Sequence, residues 1–182
     1  MIDDLCVEVP QISTCRIRLA TSAREIGLAR QLRREVFCRE QRIFPSDDHD
    51  EIDAVALVLV AVLEPETGPA GPVVGTVRIH ESEPGIWLGS RLAVDAAYRN
   101  HRGIGSTLIR LAVSTAHGKG CKQFLAHVQL QNVPMFERLH WTTMAREDRF
   151  DHPHHLMQAD LTHYPPCVTP RLGYVTGVLE AR

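Results

Sequence analysis

The segment that most constrains the fold is YRNHRGIGSTLI, residues 98–109, in which basic residues and two glycines precede an apolar segment of helical spacing. The first four N–H groups of a helix have no acceptor inside the helix, and the helix dipole is positive there. Glycine lets a bulky anion approach those N–H groups closely. Gly103 and Gly105, with Arg99 and Arg102 beside them, therefore predict a phosphate-binding helix start. The alternative is an ordinary turn into a core helix.

Two familiar phosphate-binding motifs do not fit this segment. The sequence contains no G-x-x-x-x-G-K-[ST], which excludes a P-loop. A dinucleotide fingerprint would need a third glycine where Leu108 stands. The segments before it also have the pattern of antiparallel strands rather than of a βαβ unit.

Composition indicates one soluble domain with a proper core. The 182 residues are 44% apolar and 23% charged, with a net charge of −2. This balance provides no basic field for nucleic acid or membrane, and no apolar segment approaches the ~20 residues of a membrane span. Five scattered cysteines without a C-x-x-C, and an acidic N-terminus without a signal-peptide pattern, favour a reducing cytoplasm.

Hydrophobic patterning predicts an α/β (α+β) domain built on one mixed sheet. The predicted strands are 15–19, 54–63, 73–80, 86–94, 123–130 and 154–161. The predicted helices are 22–41, the segment from the two glycines to Gly118, and 133–140. We expect residues 14–162 to form the domain, with 1–13 and 163–182 as extensions. The alternative for 163–182 is an additional packed element or an oligomer contact.

Several segments, in this order, resemble the GNAT superfamily of acyl-CoA-dependent N-acyltransferases. They are LGSRLAV (88–94), YRNHRGIG (98–105), VQLQN (128–132) and MFERLHW (135–141). The segment VFCREQRIFPSDDHDEID (36–53) is similar to the acceptor side of one GNAT subgroup. The closest likeness is to a bacterial branch of N-acetyltransferases associated with nitrilase-type gene clusters and nitrogen metabolism. The resemblance implies a central, mostly antiparallel mixed sheet flanked by helices.

The resemblance also implies where acyl-CoA binds. Pantetheine would pair with backbone groups in a gap between two diverging strands, and the pyrophosphate would lie on N–H groups of the glycine loop. Asn132 would contact the pantetheine arm, and the helix carrying Phe136 would line the far side of the cofactor. The implied cofactor-binding residues are Leu92, Ala93, Val94, Arg99, His101, Arg102, Gly103, Ile104, Gly105, Ser106, Asn132 and Phe136.

Two residues depart from the family pattern. Asn100 stands where the loop usually has Gln or Arg, with Arg99 one residue earlier; a backbone cradle needs no particular side chain. Phe136 stands where many members have a tyrosine that protonates the leaving thiolate, and it has no proton to give. Either another group supplies that proton, or the thiolate leaves as the anion, which its pKa of roughly 8.5 permits. Otherwise the protein is not a catalyst.

Acyl transfer to an amine needs a base, because a free alkylamine is mostly protonated at pH 7. It also needs N–H donors for the oxyanion, which the strand end at 92–94 can supply. The family often carries its base as a glutamate on this strand, where the sequence has Ser90 and Arg91. Glu81, in the preceding turn, is one candidate base; the alternative is a solvated turn residue. His127, on the strand face of Gln129, is a candidate acid or base; the alternative is a buried structural histidine.

Three other polar features are open to two interpretations. Arg91 could bind a substrate carboxylate bidentately, or form an internal ion pair. The acidic segment 46–53 could attract a cationic amine, or be a solvated loop; it lacks the glycine and the spacing of an EF-hand. His152, His154 and His155 resemble a metal cluster, but neighbouring residues of a strand face opposite sides, so we expect no metal.

Together these inferences predict a cytoplasmic N-acetyltransferase that transfers an acetyl group from acetyl-CoA to the amine of a small molecule by direct attack. No nucleic acid or membrane partner is expected. The alternative is a non-catalytic acyl-CoA-binding domain that acts as a sensor or partner subunit. Homodimers are common among GNAT proteins, so the resemblance also allows a homodimer.

Overall fold

The computed structural model describes residues 12–65, 68–100 and 103–180. Its strands are β1 (Ile12–Leu19), β2 (Leu57–Pro65), β3 (Val73–Glu83), β4 (Ile86–Val94), β5 (Gln123–Gln129), β6 (Trp141–Arg149), β7 (His152–Ala159) and β8 (Tyr174–Glu180). Its α-helices are α1 (Ala23–Arg34), α2 (Ile104–Gly118) and α3 (Val133–Arg138). A π-helical turn, Glu35–Glu40, continues α1, and short 3₁₀ turns occupy Glu51–Ala54, Ala96–Tyr98, Leu130–Asn132 and Leu161–His163.

The eight strands form one sheet in the order β6-β7-β5-β4-β3-β2-β1-β8. Every neighbouring pair is antiparallel except β4 and β5, which are parallel. This confirms the predicted mixed, mostly antiparallel sheet flanked by helices. Within the described ranges, no helix is both long enough and apolar enough to cross a membrane.

Helix α1 starts where its capping signal predicts. The Ser22 side chain accepts a hydrogen bond from the Glu25 N–H at 3.2 Å, and the Glu25 carboxylate accepts one from the Thr21 N–H at 2.7 Å. These two bonds satisfy N–H groups that the helix itself leaves free. The helix packs through Ala29 and Leu32 on one face of the sheet, whereas the apolar stripe of α2 packs on the other face.

Two differences from the predicted elements concern the chain beyond α3. Strand β6 was not predicted, because its sequence WTTMAREDR is polar and most of it stays exposed at the edge of the sheet. Residues 163–182 were expected to lie outside the domain, but β8 pairs with β1 along the opposite edge. The Cys167 N–H also donates to the Ser114 carbonyl of α2 at 2.8 Å. The sheet therefore includes residues beyond 162: β6 forms one of its edges, and β8 forms the other. This is the alternative of an additional packed element.

The predicted strand 54–63 begins later, at Leu57, because Asp50 caps a 3₁₀ turn over the residues before it. The Asp50 side chain accepts from the Ile52 N–H, and the Asp53 side chain accepts from the Asp50 N–H, both at 3.1 Å. A local capping box thus outweighs the apolar character of the first residues of the segment.

Candidate active site

A cavity of about 460 Å³ passes through the sheet where β4 and β5 separate. The two parallel strands pair from Ile86↔Gln123 to Gly89↔Ala126, and each continues beyond the last pair without the other. The lining residues come from both faces of the sheet. On the α2 and α3 side they include Ile109, Ala112, Asn132 and Phe136, and on the α1 side Phe37, Ile43, Phe44 and Ile52. A ligand can therefore enter from one face while a second ligand enters from the other.

A β-bulge marks the separation on the β4 side. In β3, Thr76 and Arg78 pair with Ala93 and Ser90, so β4 carries one extra residue between these pairs. Arg91 has a φ of 56°, as expected where a bulge interrupts the regular strand. Beyond Gly89 the edge of β4 that faces the gap has no partner strand in the described chain. Of the predicted residues on this edge, Ala93 pairs with Thr76 of β3, and the Val94 carbonyl accepts a hydrogen bond from Arg99 Nε. The backbone of Leu92 lies at the unpaired edge, where an extended ligand can pair with it.

The predicted phosphate-binding helix start lies beside this strand end. Gly103 is the N-cap of α2 with a φ of 103°, which an L-amino acid side chain disfavours. Ile104, Gly105 and Ser106 form the first turn, whose N–H groups have no acceptor within the helix. Among the described residues, a Cβ atom placed on Gly105 would meet only the Val94 side chain, at 3.8 Å. The helix start therefore adjoins the end of β4. His101 and Arg102 lie outside the described residues.

Arg99 does not add free charge to this cradle. Its Nη2 atom donates to the Glu40 carboxylate at 2.6 Å, and its Nε atom donates to the Val94 carbonyl at 3.0 Å. The guanidinium therefore ties the π-helical turn to the end of β4, and Glu40 neutralises it. A carboxylate 59 residues away in the sequence pairs with Arg99, so a contact between Arg99 and the phosphates stays a prediction.

Asn132 and Phe136 both line the cavity, as the resemblance implies. Phe136 packs edge-on against Trp141, with ring centroids 5.0 Å apart, and it offers no hydroxyl group. Tyr164 cannot replace it, because its hydroxyl donates to the Leu139 carbonyl and accepts from Trp141 Nε1 in the core.

The acidic segment is not simply a solvated loop, because most of its aspartates are paired internally, although Asp47 and Glu51 stay exposed. Three of its aspartates form one network with three arginines, listed together as Asp48, Asp50, Asp53, Arg33, Arg78 and Arg91. In this network, Arg33 lies 2.7 Å from Asp48, and Arg78 lies 2.6 Å from Asp50 and 2.9 Å from Asp53. The six formal charges cancel, so the segment is fastened to the sheet by charges that it cannot offer elsewhere.

Burial strengthens this network. The side chains of Arg33, Asp48, Arg78 and Asp53 are each 3% exposed or less. Burial by itself raises the pKa of Asp53, but hydrogen bonds from Arg33 and the charge of Arg78 outweigh it and hold that pKa well below its usual range. The carboxylate is therefore ionised, and its loss would leave buried guanidinium groups without their partner.

Arg91 belongs to the same network, which decides between its two interpretations. Its Nε atom lies 2.9 Å from Asp48, and its Nη2 atom lies 3.2 Å from Asp50. Its guanidinium also stacks over the Phe44 ring, 4.6 Å from the centroid. An internal ion pair thus occupies the side chain that was proposed to bind a substrate carboxylate.

His127 lies just beyond the last β4–β5 pair, on the cavity wall. The burial pattern of β5 confirms that His127 and Gln129 share one face of the strand, opposite Ala126 and Val128. Its Nδ1 atom bonds to the Glu147 carboxylate of β6, and its Nε2 atom lies 3.5 Å from Arg149 Nη1. A carboxylate can only accept, so Nδ1 carries the proton. The neutral imidazole then has its lone pair on Nε2, where it accepts a long hydrogen bond from Arg149 Nη1.

Glu81 lies away from the cavity. Its carboxylate accepts a hydrogen bond from the Gly85 N–H at 2.8 Å in the exposed β3–β4 turn. The β3 residues that line the cavity are Val77, Arg78, His80 and Ser82. Glu81 lies between His80 and Ser82, so its side chain points to the opposite face of the strand. The geometry therefore disfavours Glu81 as the base and favours the alternative, a residue of the turn.

Two further histidines line the cavity. His80 has a buried Nδ1 atom without a hydrogen-bond partner, and burial, followed by the charge of Arg78, lowers its pKa. His154 Nδ1 donates to the His152 carbonyl at 2.8 Å, whereas His155 bonds to Thr143 on the other face of β7. Among the described residues, no group of three or more potential metal-ligating side chains converges.

Comparison with known proteins identifies the family. The model of the acetyltransferase (GNAT) family matches residues 28–141. The chain belongs to the GNAT family. Members of this family use acyl-CoA, and the match includes the split between β4 and β5, the glycine helix start and α3. No curated protein sequence shows significant similarity to the chain.

Solved structures agree with this assignment at the level of the fold. A Lactobacillus plantarum protein assigned as an N-acetyltransferase superposes with a TM-score of 0.70 at 23% identity, over 80% of this chain and 97% of that one. An acyl-CoA N-acyltransferase of Pseudomonas aeruginosa gives 0.66 at 21% identity, over 81% and 99%. The CoA-dependent acyl-homoserine lactone synthase BjaI, solved with SAM and isopentyl-CoA, gives 0.67 at 16% identity, over 88% and 94%.

Sequence reasoning missed Glu147 and Arg149. Both lie on β6, whose polar sequence does not have the pattern of a strand in a core. Their alternation with Asp148 was the available signal, since it places them on one face of an extended segment. Only the pairing of β6 with β7 brings that face to the cavity.

Proposed function

We propose that the protein transfers an acetyl group from acetyl-CoA to the amine of a small molecule, by direct attack within a ternary complex. The observation that carries this proposal is the cavity between the separating strands, which is lined by Leu92 at the unpaired edge of β4 and by His127. The glycine helix start adjoins the end of the same strand, where Gly105 lies beside Val94. Acetyl-CoA would approach from the α2 and α3 side, with its pyrophosphate on the first turn of α2. The amine would approach from the side of α1.

In this reaction His127 is the base and Glu147 is the residue that positions it. The free amine attacks the thioester carbon, and His127 Nε2 takes the proton that the amine nitrogen loses. The carboxylate of Glu147 holds the imidazole in the required tautomer and stabilises the imidazolium. Unpaired N–H groups of β4 near Leu92 would donate to the oxyanion.

The same imidazolium can donate the proton that Phe136 cannot supply to the leaving thiolate. When the carbon–sulfur bond breaks, the thiolate needs a proton, and the proton taken from the amine is available on Nε2. Returning it to sulfur yields the free thiol of CoA and the N-acetyl product, and regenerates neutral His127. The cycle needs neither a tyrosine nor a metal.

A non-catalytic acyl-CoA-binding domain is the second candidate. It is favoured by the side chain of Phe136, which packs on Trp141 and has no proton to donate. The two candidates differ in one observable, because only the enzyme releases CoA from acetyl-CoA in the presence of an amine. Membership of the nitrilase-associated branch, a homodimer and a cytoplasmic location remain predictions.

The experiment that tests acetyl-CoA binding is thermal unfolding with and without acetyl-CoA, on the wild type, Gly105→Asp and Gly105→Asn. Gly105 is preferable to Gly103 because it has room for a Cβ atom and no positive φ. A ligand at a hundred times its Kd adds about 2.7 kcal/mol to the stability of the folded state. We expect Gly105→Asp to lose this stabilisation, because its carboxylate repels phosphate, and Gly105→Asn to retain more of it.

The outcomes separate the candidates. Absence of stabilisation in the wild type, with CoA and ADP also without effect, would contradict both. Stabilisation without CoA release for any amine would leave only the binding domain. Stabilisation that is equal in all three proteins would mean that acetyl-CoA binds elsewhere.

A further inference from the structure

We infer that the acceptor is an α-amino acid and that Arg149 binds its carboxylate. This inference rests on the proposed acyl transfer and adds the substrate class. The observation that supports it is the pairing of the charged side chains that line the cavity. Of the arginines in the cavity wall, Arg78 and Arg91 are both paired with aspartates. Arg149 has no carboxylate within 4.0 Å in the described part of the chain, although Asp148 and Asp151 are close in the sequence.

A guanidinium that contacts a histidine but no carboxylate, at the wall of a cavity, is suited to one kind of ligand group. Its fork of N–H donors matches the two oxygens of a carboxylate. Because the network around Arg78 and Arg91 has no net charge, Arg149 is the arginine of the cavity wall that lacks a carboxylate partner among the described residues. Arg149 therefore takes the role that the sequence suggested for Arg91, the binding of a substrate carboxylate.

The distance between Arg149 and His127 selects the position of the carboxylate on the acceptor. Arg149 Nη1 lies 3.5 Å from His127 Nε2, the atom that is to receive the proton of the amine. One acceptor can contact both atoms only if its amine and its carboxylate are close together. An α-amino acid carries the two groups on the same carbon, whereas an ω-amino acid separates them by its whole chain.

The surroundings of Arg149 provide room for an apolar side chain. The Phe150 ring lies 5.8 Å from the Arg149 guanidinium and contacts Phe44 edge-on, with centroids 4.8 Å apart. Phe150 and Asp151 have φ values of 52° and 59° in the β6–β7 turn, where Asn and Gly are the usual residues. A phenylalanine held in the left-handed region is strained, and such strain is concentrated at functional sites. The turn thus presents Arg149 and an aromatic wall together.

The test compares three amines that share one side chain. Phenylalanine, phenylalaninamide and phenethylamine differ in whether a carboxylate, a neutral amide or a hydrogen stands beside the amine. CoA release from acetyl-CoA would be measured for the wild type, Arg149→Gln and the control Arg146→Gln. Arg146 is an exposed arginine of the same strand that does not line the cavity.

We expect the wild type to prefer phenylalanine. Arg149→Gln should raise its KM for phenylalanine by about ten- to a hundredfold, the usual effect of losing a hydrogen-bonded charge. The same substitution should leave KM for phenethylamine unchanged, and Arg146→Gln should leave all three substrates unchanged. Equal use of the three amines by the wild type, or an equal loss for all three in Arg149→Gln, would overturn the inference while acyl transfer stands. If no CoA is released with these three amines or with any other amine tested, both the proposed function and this inference are overturned.

Discussion

At the scale of the residue, the candidate site depends on which partner each polar side chain finds. His127 becomes a candidate base because Glu147 accepts from Nδ1 and leaves Nε2 toward the cavity. Glu81, with the same chemistry as a typical GNAT base, is bound instead to the Gly85 N–H of its own turn. Reactivity here follows from contacts rather than from residue type.

The first prediction concerns His127 and Glu147. His127→Gln should lower kcat for acetyl transfer by about 10² to 10⁴, because the amine then loses its proton only to water. Glu147→Gln should lower kcat less, since the imidazole remains but its tautomer is no longer imposed. The loss in both variants should narrow at high pH, where hydroxide can take the proton that the attacking nitrogen loses. Steady-state kinetics across pH measures this.

The matched control for this prediction is His155→Gln. His155 bonds to Thr143 on the other face of β7 and does not line the cavity. The His155→Gln variant should retain the activity of the wild type. An unchanged kcat in His127→Gln, with intact acetyl-CoA binding, would mean that another group is the base.

At the scale of the element, the segment between α1 and β2 is held by charge rather than by apolar packing. Asp48, Asp50 and Asp53 bring it against arginines of α1, β3 and β4. The same segment carries Phe44 and Ile52 into the cavity wall. The network therefore fixes the shape of the acceptor side, although none of its charges is available to a substrate.

The second prediction concerns Asp53. Asp53→Asn should destabilise the protein by about 3–5 kcal/mol, because it leaves Arg33 and Arg78 buried with one carboxylate fewer. Asp47→Asn, which affects an ion pair to Arg34 that is about half exposed, should change stability by less than about 1 kcal/mol. Denaturant unfolding of both variants at pH 7 measures the difference.

The pH dependence of this effect has a definite sign. The folded-state pKa of Asp53 is depressed below the ordinary value of 3.8. Its contribution is therefore complete above pH 3.8 and is lost as the pH falls below that value toward the folded-state pKa. The difference in the free energy of unfolding between the wild type and Asp53→Asn should therefore become smaller as the pH is lowered. A gap that is constant down to pH 3 would contradict the ion-pair explanation.

At the scale of the whole molecule, the C-terminal segment closes the side of the fold that lies away from the cavity. Strand β8 pairs with β1, and the segment before it passes over the end of α2. Gly118, which the sequence indicates only as a helix end, lies in this contact. A Cβ atom there would come within 2.5 Å of the Cys167 carbonyl oxygen.

The third prediction compares two glycines. Gly118→Ala should destabilise the protein by about 1–3 kcal/mol, because the C-terminal segment must move away from α2. Gly27→Ala, at an exposed position of α1 with nothing within 4 Å of the new atom, should stabilise it by about 0.5–1 kcal/mol. Thermal unfolding measures both. A stabilised Gly118→Ala would show that the segment does not pack on α2 in solution.

The sequence by itself determined the elements whose signals are local. The Ser22 cap, the strand over Ile86–Val94, the glycine start of α2 and the alternation of β5 all follow from residues within a few positions of one another. It also determined the family, since its motifs stand in the order that the GNAT family requires. Periodicity and capping act over a turn or a pleat, so they can be predicted from a short segment.

The tertiary structure alone decided which charges face the cavity. Arg91 and Arg149 cannot be distinguished in the sequence. Yet Arg91 pairs with Asp48, 43 positions away, whereas Arg149 contacts His127 at the cavity wall and has no carboxylate partner among the described residues. Strand β6 and strand β8 are added at opposite edges by pairing with β7 and β1, not by apolar patterns of their own. Ion pairs and sheet edges join residues that are distant in the chain, and their choice of partner depends on the topology that brings them together.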